Sequence, residues 1–202
     1  MKLKICGMKY PENILEVSEL LPDYMGFIFW EKSSRYFEGN MPDLPKSIKK
    51  VGVFVDATLE EISFKIKKYH LDLIQLHGNE TLAFCKNLKN EGVEIIKVFS
   101  VNDDFNFDIL KPYEGVCDYF LFDTKGKLPG GNGIAFNWEV LQKYNSTKPF
   151  FLSGGVGIDE IESVKQLLKT DLPIYAIDIN SKFEVQPGLK NKRLLNEFQS
   201  NF

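Results

Sequence analysis

A chain of 202 residues, 44% of them hydrophobic and 26% charged, has the composition of an ordinary globular protein with length enough for a substantial core. Its net charge of −3 gives no reason to expect nucleic acid or an anionic membrane as partner, and no apolar run approaches the length of a membrane span. Three cysteines, Cys6, Cys85 and Cys117, are odd in number and lack CxxC spacing, which argues against a disulfide framework or a structural zinc site and for a reducing cytoplasm.

The first six residues are too poor in apolar side chains for a signal peptide. Instead, Lys2-Leu3-Lys4-Ile5-Cys6-Gly7 reads as a short buried strand that stops at a thiol and a glycine. Pro11 suits a first helical position, and Ile14, Val17 and Leu21 fall on one helical face. Residues 25–29 form a second strand, followed by a polar loop holding Arg35, and residues 45–50 read as a short helix. Residues 51–55 form a third strand. Thr58 and Glu61 then have capping-box spacing ahead of a stripe of Ile62, Ile66 and Tyr69. Residues 73–76 form a fourth strand closed by His77-Gly78, with Asn79 placed to cap a helix over residues 80–90. A fifth strand covers residues 93–99, and residues 103–110 suit a short helix.

The sixth strand, residues 119–122, ends at Asp123. The Gly-rich segment 124–133 follows; its length and composition suit a lid rather than a connector, and it lacks the GxxxxGK[ST] pattern of a P-loop. A helix holding Trp138, Leu141 and Tyr144 leads to a seventh strand, residues 150–152, and then to Ser153-Gly154-Gly155. A helix over about residues 158–169, an eighth strand at 174–177 ending in Asp178, and a last helix with Leu194, Leu195 and Phe198 complete the chain. Eight apolar runs at intervals of roughly 20–30 residues, with no Pro/Ser linker between them, predict one (β/α)8 barrel domain over residues 1–202. An open doubly wound sheet is the competing architecture, but no GxGxxG follows its first strand.

In a barrel the chemistry lies where strands end and βα loops begin. Cys6, Gln75, His77, Asp123 and Asp178 occupy those positions on the first, fourth, sixth and eighth strands, so a barrel would bring them to one mouth. Each has a plainer reading: Cys6 as a small core residue, His77 as a helix-entry histidine, the aspartates as caps. Gly154 and Gly155 let bare backbone N–H groups approach an anion, the following helix N-terminus would add to that, and Asn180-Ser181 after the eighth strand supply further donors. A thiol, a carboxylic acid and an anion site together suit proton transfer on a sugar phosphate. Only a few per cent of a thiol with pKa of about 8.5 is thiolate at neutral pH, and an acid partner must hold its proton, which burial favours.

The ordered motifs Lys4-Ile5-Cys6-Gly7, Gly26-Phe27-Ile28-Phe29, Ser34-Arg35, Val51-Gly52-Val53-Phe54, Gln75-Leu76-His77-Gly78, Leu121-Phe122-Asp123, Gly130-Gly131-Asn132-Gly133 and Ser153-Gly154-Gly155 resemble the phosphoribosylanthranilate isomerase family of tryptophan biosynthesis over nearly the whole chain. The resemblance implies a (β/α)8 barrel and an Amadori rearrangement of N-(5-phosphoribosyl)anthranilate, with no metal or organic cofactor. It implies Asp123 as general acid, Cys6 as general base, and Arg35 against the anthranilate. Gln75, His77 and Asp178 would bind substrate, and Gly154, Gly155, Asn180 and Ser181 the phosphate. Asn132 stands where the family commonly has Thr, and Lys182 where it commonly has Gly. The expected partner is a small phosphorylated substrate, acted on by a cytoplasmic monomer or homodimer. Other phosphate-binding barrels remain as alternatives: a sugar-phosphate epimerase, an aldolase using Lys97 as a Schiff-base lysine, or a non-catalytic module.

Overall fold

The computed structural model describes residues 1–124 and 138–202. Eight parallel strands close into a barrel in sequence order: β1 (Lys2–Ile5), β2 (Tyr24–Ile28), β3 (Lys49–Phe54), β4 (Leu73–Leu76), β5 (Glu94–Val101), β6 (Tyr119–Thr124), β7 (Phe150–Leu152) and β8 (Ile174–Ile179). Closure is made by β1 pairing β8, with Lys4 opposite Asp178 and Ile5 opposite Ile179. The outer layer contains α1 (Pro11–Ser18), α2 (Leu59–Tyr69), α3 (Leu82–Leu88), α4 (Ile161–Leu167) and α5 (Lys192–Gln199). Between β5 and β6, and again before β7, the helical positions are filled by 3₁₀ turns, Phe107–Tyr113 and Trp138–Lys143.

Strand alternation divides the apolar residues into two cores. Val51, Leu73, Ile96, Val98, Leu121, Phe151 and Ala176 pack together inside the barrel. Their strand neighbours, among them Ile74, Leu76, Ile95, Phe120, Phe122, Ile177 and Ile179, pack outward against the helices. The period of two then settles where the polar residues face. On β1, Leu3 and Ile5 belong to the outer core, so Lys4 and Cys6 face inward. Gln75, Asp123 and Asp178 likewise face into the barrel, each two residues beyond the inward-facing Leu73, Leu121 and Ala176 respectively. The site is therefore a product of the pleat.

Several helices start where the sequence chemistry puts them. Thr58 and Glu61 form a reciprocal capping box on α2, and His70 ends that helix in a left-handed conformation. Pro11 opens α1. Other boundaries move. Residues 45–50 are not helical: Ile48 closes a turn back onto Pro45, and Lys49 and Lys50 join the β2–β3 ladder, with the Lys50 N–H also held by Asp72. Ladder pairing outweighs local propensity there. Thr81, not Asn79, caps α3: the helix begins only at Leu82, and the Thr81 hydroxyl accepts the Phe84 N–H. The helix expected over about 158–169 is shorter, Ile161–Leu167, and the turn expected over 103–110 starts later, at Phe107. The lid expectation for 124–133 falls, beyond the Thr124 backbone, outside the described residues. An antiparallel hairpin, β9 (Glu184–Gln186) with β10 (Leu189–Lys190), is an addition the periodicity did not signal.

Lys97 on β5 shows how loops are tied beneath the mouth. Its ammonium donates to Glu80 at 2.9 Å and to the Gly78 carbonyl at 2.8 Å, with both side chains buried. Glu80 in turn accepts the N–H groups of Asp56 and Gly78, joining the loops after β3 and β4. Removing one partner strands the other charge in the interior. Lys97→Met should lower the free energy of urea-induced unfolding by about 3–5 kcal/mol; a loss below about 1 kcal/mol would show the pair to be energetically idle.

Candidate active site

Cys6 sits at the C-terminal end of β1, buried, its N–H donating to the Ile179 carbonyl at 2.9 Å. Space for its sulfur comes from β2: a Cβ on Gly26 would lie 2.7 Å from the Cys6 Sγ. Directly below, Lys4 is fully buried and its ammonium lies 2.7 Å from Asp178 Oδ1. Ser153 Oγ donates to the other Asp178 oxygen at 3.1 Å. Burial by itself lowers the Lys4 pKa, but Asp178 and the Cys6 thiol outweigh it and push it up, so Lys4 is a cation. Burial drives the Cys6 thiol upward, opposed by Lys4 and by Lys190.

On the other side of the mouth, His77 Nε2 lies 3.5 Å from Asp123 Oδ2, and Gln75 Nε2 lies 3.3 Å from His77 Nδ1. With the Gln75 amide donating, Nδ1 accepts and the ring proton sits on Nε2, toward Asp123. Gln75 Oε1 and His77 Nε2 are buried without a hydrogen-bond partner among the described residues. Polar atoms so placed are costly unless a ligand engages them.

A second cluster joins the loop after β2 to the hairpin. Arg35 grips Glu184 with Nε at 2.9 Å and Nη2 at 2.7 Å. Lys190 donates to Glu184 at 2.7 Å and to Asn180 Oδ1 at 2.7 Å. Gly7, at φ +77°, is required here: a Cβ would strike Asn180 Oδ1 at 2.7 Å and Arg35 Cδ at 2.8 Å. Burial pulls the Lys190 pKa down to about 8 against the pull of Glu184. Burial raises the Glu184 carboxyl, yet Arg35 and Lys190 together hold it below the usual carboxylate value. Two cations share one carboxylate, so the cluster carries an excess positive charge beside Cys6 and Asn180.

Gly154 and Gly155 follow β7 at φ +87° and +75°, the left-handed region that favours glycine. Asn180 and Ser181 follow β8, with Ser181 opening a 3₁₀ turn over Ser181–Phe183. The helix expected to add its N-terminus to this site begins at Ile161, several residues beyond the glycine pair. Among the described residues no group of three or more His, Cys, Asp or Glu could hold a metal ion. Lys97, the aldolase candidate, alternates with the inward-facing Ile96 and Val98 and is held by Glu80 outside the barrel.

The barrel thus gathers Cys6, Gln75, His77, Asp123 and Asp178 at one mouth, with Gly154, Gly155, Asn180 and Ser181 on the β7–β8 side and Arg35 on the β2 side. Sequence reasoning overlooked Lys4, Glu184 and Lys190. Lys4 had a signal: a lysine alternating with Leu3 and Ile5 in a buried strand must face the barrel interior. The hairpin pair had none.

The depressed Glu184 value sets a pH dependence. Its stabilisation is complete above the ordinary carboxylate pKa of 4.5 and is lost as pH falls through the lower folded value. Urea unfolding from pH 7 to 3 should find Glu184→Gln less stable than wild type at neutral pH, the two curves converging below about pH 4.5. Parallel curves would remove Glu184 from acid stability.

Comparison with known proteins points to one family. Residues 3–201 match the family model described as N-(5'phosphoribosyl)anthranilate (PRA) isomerase. A relative from Phocaeicola vulgatus named N-(5'-phosphoribosyl)anthranilate isomerase is 41% identical over 98% of this chain and 96% of its own. The crystal structure of phosphoribosyl anthranilate isomerase from Thermotoga maritima is 29% identical with a TM-score of 0.86, covering 100% of this chain and 98% of that one. A phosphoribosyl anthranilate isomerase solved in complex with reduced 1-(o-carboxyphenylamino)-1-deoxyribulose 5-phosphate is 27% identical with a TM-score of 0.82, covering 100% and 97%. With its inward-facing thiol and carboxylate at the mouth of a (β/α)8 barrel, the chain belongs to the phosphoribosylanthranilate isomerase family, the aldose–ketose isomerases of tryptophan biosynthesis.

Proposed function

We propose that this site carries out the Amadori rearrangement of N-(5-phosphoribosyl)anthranilate to 1-(2-carboxyphenylamino)-1-deoxyribulose 5-phosphate, with Asp123 as general acid and Cys6 as general base. The observation that carries the reading is the placement of these two inward-facing groups at the ends of β6 and β1, on separate sides of one barrel mouth. Asp123 protonates the furanose ring oxygen, the anilino nitrogen pushes electrons to C1, and the ring opens to a Schiff base. The Cys6 thiolate then takes the proton from C2, leaving an enolamine. Protonation at C1 and loss of the enol proton give the ketone. The sequence is a set of proton transfers that balances without oxidant or reductant.

The remaining residues bind and orient. Gly154, Gly155, Asn180 and Ser181 offer backbone and side-chain donors to the phosphate. Gln75 and His77 turn polar atoms toward the sugar, and Asp178 borders it from β8. Arg35, with Nε and Nη2 committed to Glu184, meets the anthranilate with its planar face and Nη1. The excess positive charge around Lys190 suits a substrate bearing a carboxylate and a phosphate. The chain would act as one domain in the cytoplasm; no helix among the described residues is long and apolar enough to cross a membrane.

Steady-state kinetics with phosphoribosylanthranilate test the reading. Cys6→Ala and Asp123→Asn should each lose at least about 100-fold in kcat with unchanged circular dichroism. Near-wild-type turnover in either variant removes that residue from its role, and an inactive wild-type protein overturns the reaction itself.

A further inference from the structure

Cys6 is a poor base as it stands. Burial favours its neutral thiol, and a thiol cannot accept a proton from carbon. The charged and titratable groups that act on it come from three strands: Lys4 on its own β1, Asp178 on β8 and Lys190 on β10. Asp178 opposes the thiolate and the lysines favour it. Glu184 and Arg35 face Lys190 from beyond.

Lys4 stands out geometrically. It lies two residues before Cys6 on the same strand, so both side chains leave the same face of β1 into the barrel. Its side chain is wholly enclosed, a position lysine occupies only when its charge is matched. Register places it opposite Asp178, which it touches at 2.7 Å, and Asp178 is fixed on its far oxygen by Ser153. The ammonium's positive charge acts on the thiol from one layer below and favours the ionised form. Packing at this level of the barrel needs no charge, and an apolar side chain there would be cheaper to bury.

We propose that Lys4 is a positioning residue for the isomerisation: its ammonium, anchored by Asp178 one layer below the thiol, supplies the positive charge against which the Cys6 thiolate forms. The proposal rests on the reading of Cys6 as the base. The thiol's ionisation, however, is measurable whether or not Cys6 is catalytic. When the thiol loses its proton the new negative charge meets an existing ammonium, so no proton need pass through Lys4. Asp178 keeps the ammonium from being neutralised by its surroundings. Removing the lysine charge therefore displaces the thiol's titration to higher pH and carries the rising limb of the rate profile with it.

The test is thiolate absorbance near 240 nm followed against pH, each protein read as the difference from the same protein carrying Cys6→Ser, which cancels tyrosine and the other two cysteines. Lys4→Met should move the Cys6 midpoint up by at least about one pH unit, and Lys4→Arg should bring it most of the way back. Because Lys4→Met leaves Asp178 unpaired, Lys4→Met/Asp178→Asn is compared with Asp178→Asn alone, the pair of variants that strands no carboxylate; the same upward shift is expected. In the single variants the acidic limb of kcat/KM should move with the absorbance midpoint. A midpoint unmoved by Lys4→Met relative to wild type overturns the proposal and reduces Lys4 to packing. A shifted midpoint combined with full activity in Cys6→Ala would instead leave the field of Lys4 standing and remove Cys6 as the base.

Discussion

The contact on which this molecule depends is the closure of the barrel between β1 and β8. That ladder turns a row of strands into a ring, and its register sets Lys4 against Asp178 across the seam. The 2.7 Å pair sits where the first and last strands meet, directly below the thiol. A slip of one residue would send Lys4 and Cys6 outward into the apolar layer and bring Leu3 and Ile5 into the mouth. Fold and site are thus specified together, and an incorrectly closed barrel would both expose apolar side chains and bury charge.

Charge is the second theme. Among the described residues, three lysines form buried ion pairs at or near the top of the barrel: Lys4–Asp178, Lys97–Glu80 and Lys190–Glu184, the last shared with Arg35. Such pairs contribute little net stability against apolar replacements of the same volume. Their placement points to other tasks. Lys97–Glu80 ties two loops to β5 from outside the barrel. Arg35–Glu184–Lys190 fixes a guanidinium and leaves an excess cation near Cys6. Lys4–Asp178 places a fixed ammonium beside the thiol. Small residues make the remaining room: Gly26 for the sulfur, Gly7 for Arg35 and Asn180.

Much of this was legible in the sequence because the barrel repeats one unit. Apolar runs marked every barrel strand, and their ends placed Gln75, Asp123 and Asp178 at the mouth without knowledge of any contact. The ordered motifs carried the family. Boundaries were less legible where a tertiary ladder took residues from a local helix, as at Lys49, or where a second cap candidate stood nearby, as Thr81 does after Asn79. The Arg35–Glu184–Lys190 network was not legible at all. It joins residues 149 positions apart through a two-strand hairpin whose strands are two and three residues long, too short to leave a periodic trace. Lys4 was in view but unread, since a lysine in a short strand passes for a solvated end.

The central claim is that Cys6 and Asp123 face the reacting carbons from different sides of one mouth, with the phosphate held at the β7–β8 end. A crystal structure of this protein with reduced 1-(2-carboxyphenylamino)-1-deoxyribulose 5-phosphate tests it directly. The account predicts the phosphate against Gly154, Gly155 and Ser181, and the Cys6 sulfur and an Asp123 oxygen each within about 4 Å of the sugar chain on separate faces. A phosphate bound elsewhere in the barrel, or a sugar out of reach of either group, would contradict it.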